Sequence, residues 1–175
     1  MIYIFFLLLF LFTTYSTQTI TNKDWISETN GQELLLCRKC GADVADSYYI
    51  FSKRSPGSQK TEKQNLFGRQ NVTVQTLVNP FGVKFQIVTT EKAGCKNIGS
   101  NQGADSWFPG YTWRICTCPN CNQHLGWTFE KSSDAQNSPE HDKENVNLFY
   151  GLILNNVLGE NFTDSLITMP KTYRM

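Results

Sequence analysis

The chain has no long block of like charge: its 16 basic residues are nearly matched by 15 acidic ones over 175 positions. A nucleic-acid-binding surface shows itself as clustered Lys and Arg, so no nucleic-acid partner is expected. Histidine is almost missing, with only His124 and His141 present. The two are too few and too separated for an evident acid–base pair, and each reads as solvent-facing or structural. Internal repeats are absent, and after the first twelve residues no apolar run approaches the length of a membrane span.

Charge is also absent before Lys23, and the run Met1–Phe12 is wholly apolar and followed by small polar residues. This layout predicts a signal peptide over residues 1–17, cleaved near Ser16 or Thr17, although the lack of an N-terminal Lys or Arg leaves a retained anchor open. The mature chain is then expected to be secreted, without a stable membrane span. In that compartment the sequons "NVT" at Asn71 and "NFT" at Asn161 are expected to carry glycans.

Four of the six cysteines form two C-x-x-C pairs, Cys37 with Cys40 in "CRKCG" and Cys118 with Cys121 in "CPNCN". Each pair can turn two thiolates toward one ion, and two pairs complete the tetrahedral set of a structural zinc. The competing possibility in an oxidising compartment is three disulfides with undetermined connectivity. With zinc in place, Cys95 and Cys116 remain and are expected to bond to each other. Closing that loop of about 20 residues would stabilise the fold by roughly 3 kcal/mol.

Turn signals separate short runs rich in β-branched and aromatic residues: "SYYIF" at 47–51, "VTVQTLV" at 72–78, "GVKFQIVTT" at 82–90 and "TWRICTC" at 112–118. The fold class is therefore mostly β, in one domain. "VNPFGV" reads as a hairpin turn. The polar stretches 54–70 and 130–145 read as surface loops. Val146, Phe149, Ile153 and Val157 share one helical face, so a helix or a terminal strand is expected over 146–159.

Three of the four tryptophans fall in "SWFPGYTWRICTCPNCNQHLGWTF". "FPGY" has the Pro–Gly order of a type II turn, which brings Trp107 and Trp113 near each other, while Trp127 and Phe129 at spacing two share one strand face. Three indoles can fill a core or wall a slot, and the turn, Gly126 and the knuckle favour the slot. Such a slot suits a flat ring, or a quaternary ammonium held by cation–π attraction.

The combination of "LLCRKCG", "VNPFG", "SWFPGYTW", "CPNCNQHLGWTF" and "LFYGL" resembles the CULT domain, the thalidomide-binding module at the C-terminal end of cereblon, over residues 34–158. The resemblance implies a β-tent fold, two antiparallel sheets pinned by one zinc on Cys37, Cys40, Cys118 and Cys121, with residues 159–175 as a tail. It also implies a cage of Trp107, Trp113 and Trp127 floored by Phe129, with Asn79 and Pro80 at the rim. The cage would accept a cyclic imide or related flat heterocycle, hydrogen-bonded near Asp105, Ser106 and the Trp107 backbone. Asp105 departs from the family, whose members often carry His there. A carboxylate at that place would weaken imide binding or favour a cation. A secreted single-domain member is not expected to dock an E3 ligase adaptor, and zinc would be structural. Two alternatives remain: a reader of modified peptides or cationic ligands through the same cage, and an oxidoreductase. The β-tent fold also resembles methionine-R-sulfoxide reductases, for which Cys95 and Cys116 would be the candidate nucleophiles.

Overall fold

The computed structural model describes residues 32–133 and 146–166, so the signal segment 1–17, Trp25 and His141 lie outside the described residues. The strands are β1 (Leu34–Cys37), β2 (Asp43–Asp46), β3 (Ile50–Phe51), β4 (Lys60–Leu66), β5 (Arg69–Val78), β6 (Lys84–Thr90), β7 (Lys96–Gln102), β8 (Tyr111–Thr117), β9 (His124–Lys131), β10 (Leu148–Ile153) and β11 (Val157–Gly159). One short helix, α1 (Glu160–Leu166), follows. A small sheet runs β11-β1-β2 and a large one β4-β5-β6-β10-β9-β8-β7, with β3 paired to β6. The described pairings are antiparallel, as a mostly β, two-sheet architecture requires.

The large sheet divides the core because its central strands are apolar on both faces. On β5, Val72 and Val74 join a cluster with Leu35, Cys37 and Val44 of the small sheet, while Leu77 joins an aromatic cluster on the opposite side. On β6, neighbouring Val88 and Ile87 divide in the same way, and so do Leu152 and Ile153 on β10. Alternation of side chains across a strand produces this split, and a strand buried on both faces reads as a continuous apolar run.

β9 breaks the alternation. Leu125 and Trp127 have the spacing of one face, yet Leu125 lies in the zinc-side cluster and Trp127 in the aromatic one. The cause is a β-bulge: Cys116 pairs with Gly126 but Thr117 pairs with His124, which leaves Leu125 as the extra residue. Gly126 sits at φ 151°, a conformation open to glycine.

Two stretches differ from the sequence expectation. Residues 54–70 are not wholly loop, because β4 pairs with β5 through the two-residue turn Phe67–Gly68, whose φ values of 54° and 68° fit a type I′ hairpin. β4 is an edge strand of polar residues, so it has no apolar period to read. Residues 148–153 take the strand alternative because β10 is sandwiched between β6 and β9, where the ladder satisfies its backbone. Ordered structure also continues past residue 158: the Asn161 N–H donates to the carboxylate of buried Glu33 at 2.8 Å, tying α1 to the entrance of β1. Cys95 and Cys116 are joined in a disulfide with Cα atoms 5.2 Å apart, which clamps the start of β7 to β8. Among the described residues no helix is long and apolar enough to cross a membrane.

Candidate functional site

The two C-x-x-C segments fold into the same local turn. The Cys37 N–H donates to Ala42 and Gly41 donates back to the Cys37 carbonyl, each at 2.8 Å; Cys118 and Gln123, then Asn122 and Cys118, repeat the pattern at 2.8 and 2.9 Å. The fifth residue of each knuckle is left-handed, Gly41 at φ 74° and Asn122 at φ 56°. Glycine and asparagine are the residue types that accept this conformation most easily. The knuckles hang from the ends of β1 and β8, one on each sheet, and face each other.

Their sulfurs form a compact set, with Cys37 to Cys121 at 3.7 Å, Cys40 to Cys118 at 3.6 Å, and all four within 4.8 Å of one another. Sulfurs placed tetrahedrally at about 2.3 Å from one ion lie about 3.8 Å apart, so the donor set fits zinc. Without a cation the thiols compete for protons. Burial raises Cys37, outweighing the N–H groups of Cys40 and Lys39. Cys40 receives an Ala42 N–H that favours the thiolate, yet burial and the neighbouring thiols push it up to about 12. Burial opposes ionisation of Cys118 too, but N–H groups of Cys121 and Asn120 and the adjacent thiols bring it down to about 7. Four thiolates can coexist only if a metal neutralises them, and that is the chemistry of a structural four-cysteine zinc site.

A cavity of 390 Å³ opens on the aromatic side of the large sheet. Trp107, Trp113 and Trp127 line it, with Phe129 beneath at 1 % exposure. Trp107 and Trp127 meet edge to face with centroids 4.7 Å apart. Two of the three indoles are locked by hydrogen bonds: Trp107 Nε1 donates to the Val78 carbonyl and Trp113 Nε1 to that of Ala104, both at 2.8 Å. The Trp107 carbonyl in turn accepts from Ser55 Oγ. The Ser55 N–H donates to Oε1 of fully buried Gln75, whose Nε2 donates to Lys53, so a buried polar chain fixes the backbone of this indole.

The "FPGY" turn closes with Tyr111 N–H on the Phe108 carbonyl at 3.1 Å and Gly110 at φ 80°, as type II geometry requires. Phe108 drops behind the cavity, edge-on to Phe129 and Phe149 at centroid distances of 4.8 and 5.0 Å. That support was hidden in the sequence, where Phe108 reads only as a turn residue.

Asn79 and Pro80 lie on the lining, at the tip of the β5–β6 hairpin, where Asn79 Oδ1 accepts the N–H groups of Phe81 and Val83 at 3.1 and 2.9 Å. Asp105 lines the cavity at φ 54°. Ser106 is not on the lining, because its hydroxyl turns back to donate to the Phe108 carbonyl at 3.1 Å. The structure adds Phe81, Phe85, Ile115 and His124 to the lining. Phe85 stands edge-on to Trp127 at 4.9 Å. Its signal was the spacing of two to Ile87, which places both on one face of β6. Asn71 and Asn161 are exposed.

His124 packs edge-on against Trp127 at 4.8 Å, with Nε2 2.9 Å from the Gly126 carbonyl. Burial lowers its pKa below 6.5, and the bond to Gly126 only partly opposes this. The folded ring therefore stays neutral while the unfolded chain takes up a proton as pH falls through about 6.5. The stability from this residue is complete above that pH and shrinks below it, until the folded ring protonates as well. Denaturant titrations of the zinc-loaded chain should show a steeper stability loss just below pH 6.5 than those of His124→Asn. Equal slopes would remove His124 from the pH dependence.

Residues 33–149 match the family described as Yippee zinc-binding/DNA-binding/Mis18, centromere assembly. Cereblons are similar over part of the chain. The Gallus gallus protein is 42% identical over 94 residues, which cover 52% of this chain and 21% of that protein. Cereblon of Danio rerio is 33% identical over 94 residues, covering 52% and 22%. The Drosophila grimshawi protein is 27% identical over 143 residues, covering 79% and 18%. The chain thus spans about a fifth of these relatives' length.

Proposed function

The chain belongs to the Yippee zinc-binding/DNA-binding/Mis18 family, and from that premise we propose a secreted, non-catalytic small-molecule-binding domain that holds a cyclic imide or related flat ring between Trp107, Trp113 and Trp127. The observation that carries this is the locking of two indoles by the Val78 and Ala104 carbonyls around a 390 Å³ cavity. The two bonds fix the orientation of Trp107 and Trp113, so the space between the indoles is a preformed cavity. Likeness to cereblons, whose CULT module the sequence resembles, supports the same ligand class.

Zinc supports the fold and not a reaction, since four thiolates leave no coordination position for water. The disulfide removes Cys95 and Cys116 as free nucleophiles, which argues against the reductase alternative. The same bond, together with exposed sequons at Asn71 and Asn161, supports secretion.

Titrating the zinc-loaded chain with glutarimide while following tryptophan fluorescence tests the proposal. A saturable change in the micromolar range is expected. Trp113→Ala should weaken binding by about a hundredfold, the scale of losing a central aromatic anchor, with zinc content unchanged. Undiminished binding in that variant would sink the cage assignment.

A further inference from the structure

The polar groups around the cavity are unequal in sign. Asp105 and His124 are the titratable side chains on the lining, and neither Lys nor Arg is among the lining residues. Asp105 is exposed at the cavity mouth, and its carboxylate has no hydrogen-bond or ion-pair partner among the described residues. Three ring N–H groups on the lining are already engaged: the Trp107 and Trp113 indoles donate to Val78 and Ala104, and the imidazole Nε2 to Gly126. The neutral ring thereby keeps Nδ1 as an acceptor. The one group on the lining that carries charge at neutral pH is therefore the Asp105 carboxylate, set beside the electron-rich faces of indoles.

That is the environment of a cation site. We propose that the cavity selects a methylated ammonium headgroup, held over the indole faces and drawn in by Asp105, in preference to a neutral ring of similar size. The inference rests on the cage proposed above and assigns its ligand class. A cation gains from the ring quadrupoles and from the carboxylate together, whereas a neutral imide held by the same cage draws no attraction from Asp105.

Calorimetric titration of the zinc-loaded chain with choline, with its neutral isostere 3,3-dimethyl-1-butanol and with glutarimide tests this, in wild type and in Asp105→Asn. Asparagine tolerates the left-handed backbone, so the variant changes charge and not fold. Choline should bind at least about tenfold tighter than the isostere, and weaken as salt rises. Asp105→Asn should cost choline about fivefold or more and leave the isostere unchanged. A trimethyllysine peptide in parallel distinguishes a protein-borne headgroup from a free one, and tighter binding of either than the isostere supports the cation. Choline no tighter than its isostere, with glutarimide still bound, overturns the cation inference and leaves the cage standing. Failure of every probe overturns both.

Discussion

Replacing Cys118 by serine is expected to unfold the domain as a whole. The small sheet β11-β1-β2 has three short strands, and the zinc-side cluster that joins it to the large sheet contains two metal ligands, Cys37 and Cys118, at 1 % and 0 % exposure. Without the ion, buried sulfurs in that cluster would have to be protonated at close mutual approach, and the two knuckles would lose the bond that holds β1 to β8. Structural zinc contributes roughly 10 kcal/mol or more in small modules. A domain's net stability is about 5–15 kcal/mol, so loss of the site is comparable to the whole. Circular dichroism and zinc content of Cys118→Ser, with chelator-treated wild type beside it, provide the check. Both should lose cooperative thermal unfolding. A zinc-free variant that still melts cooperatively at the wild-type temperature would show that the metal is dispensable for the fold.

Gly126→Ala is expected to be the most damaging substitution that removes no ligand. A Cβ at this position would lie 1.9 Å from the Gly151 carbonyl oxygen, 3.0 Å from its carbon and 3.1 Å from the Leu152 Cα. These are backbone atoms of the adjacent strand, so nothing flexible can yield. β9 and β10 would have to separate where Gly151 pairs with Trp127 and Leu152 with Gly126. A cost of at least about 3 kcal/mol follows, from the clash, the φ of 151° and broken ladder bonds together. Gly82 is the matched control, since its φ is 80° but a Cβ there would meet nothing within 4 Å. Gly82→Ala should cost only about 1–2 kcal/mol, the ordinary penalty of a left-handed alanine. Denaturant unfolding of both variants gives the comparison, and a Gly126→Ala loss no larger than the Gly82→Ala loss would refute the steric argument. Because the same bulge sends Trp127 to the aromatic side, the variant should also bind glutarimide poorly.

Features carried by short spacing were legible from residues alone. The C-x-x-C pairs, the "FPGY" turn and the "VNPFGV" hairpin each place their residues within one turn of backbone, so local chemistry settles their shape. The polar edge strands were not legible. β4 and β7 form because a neighbouring strand offers its backbone, and their own side chains carry almost no apolar pattern; every residue of β7 is exposed. The additional cavity residues were hidden for a related reason. Phe81, Phe85 and His124 come from the β5–β6 hairpin and from β9, and only the order β6-β10-β9-β8 brings those segments to one side.

The sequence by itself determined the fold class, the metal-binding residue set and the three tryptophans, because residue type and near spacing specify them. Tertiary structure decided which face each of these residues presents. Leu125 and Trp127 have the spacing of one face, and their separation into two cores depends on a single extra residue in β9 measured against its partner β8. Register is a relation between strands distant in sequence, and a one-residue slip exchanges the two faces of every residue beyond it. The cavity exists on the side that this register selects.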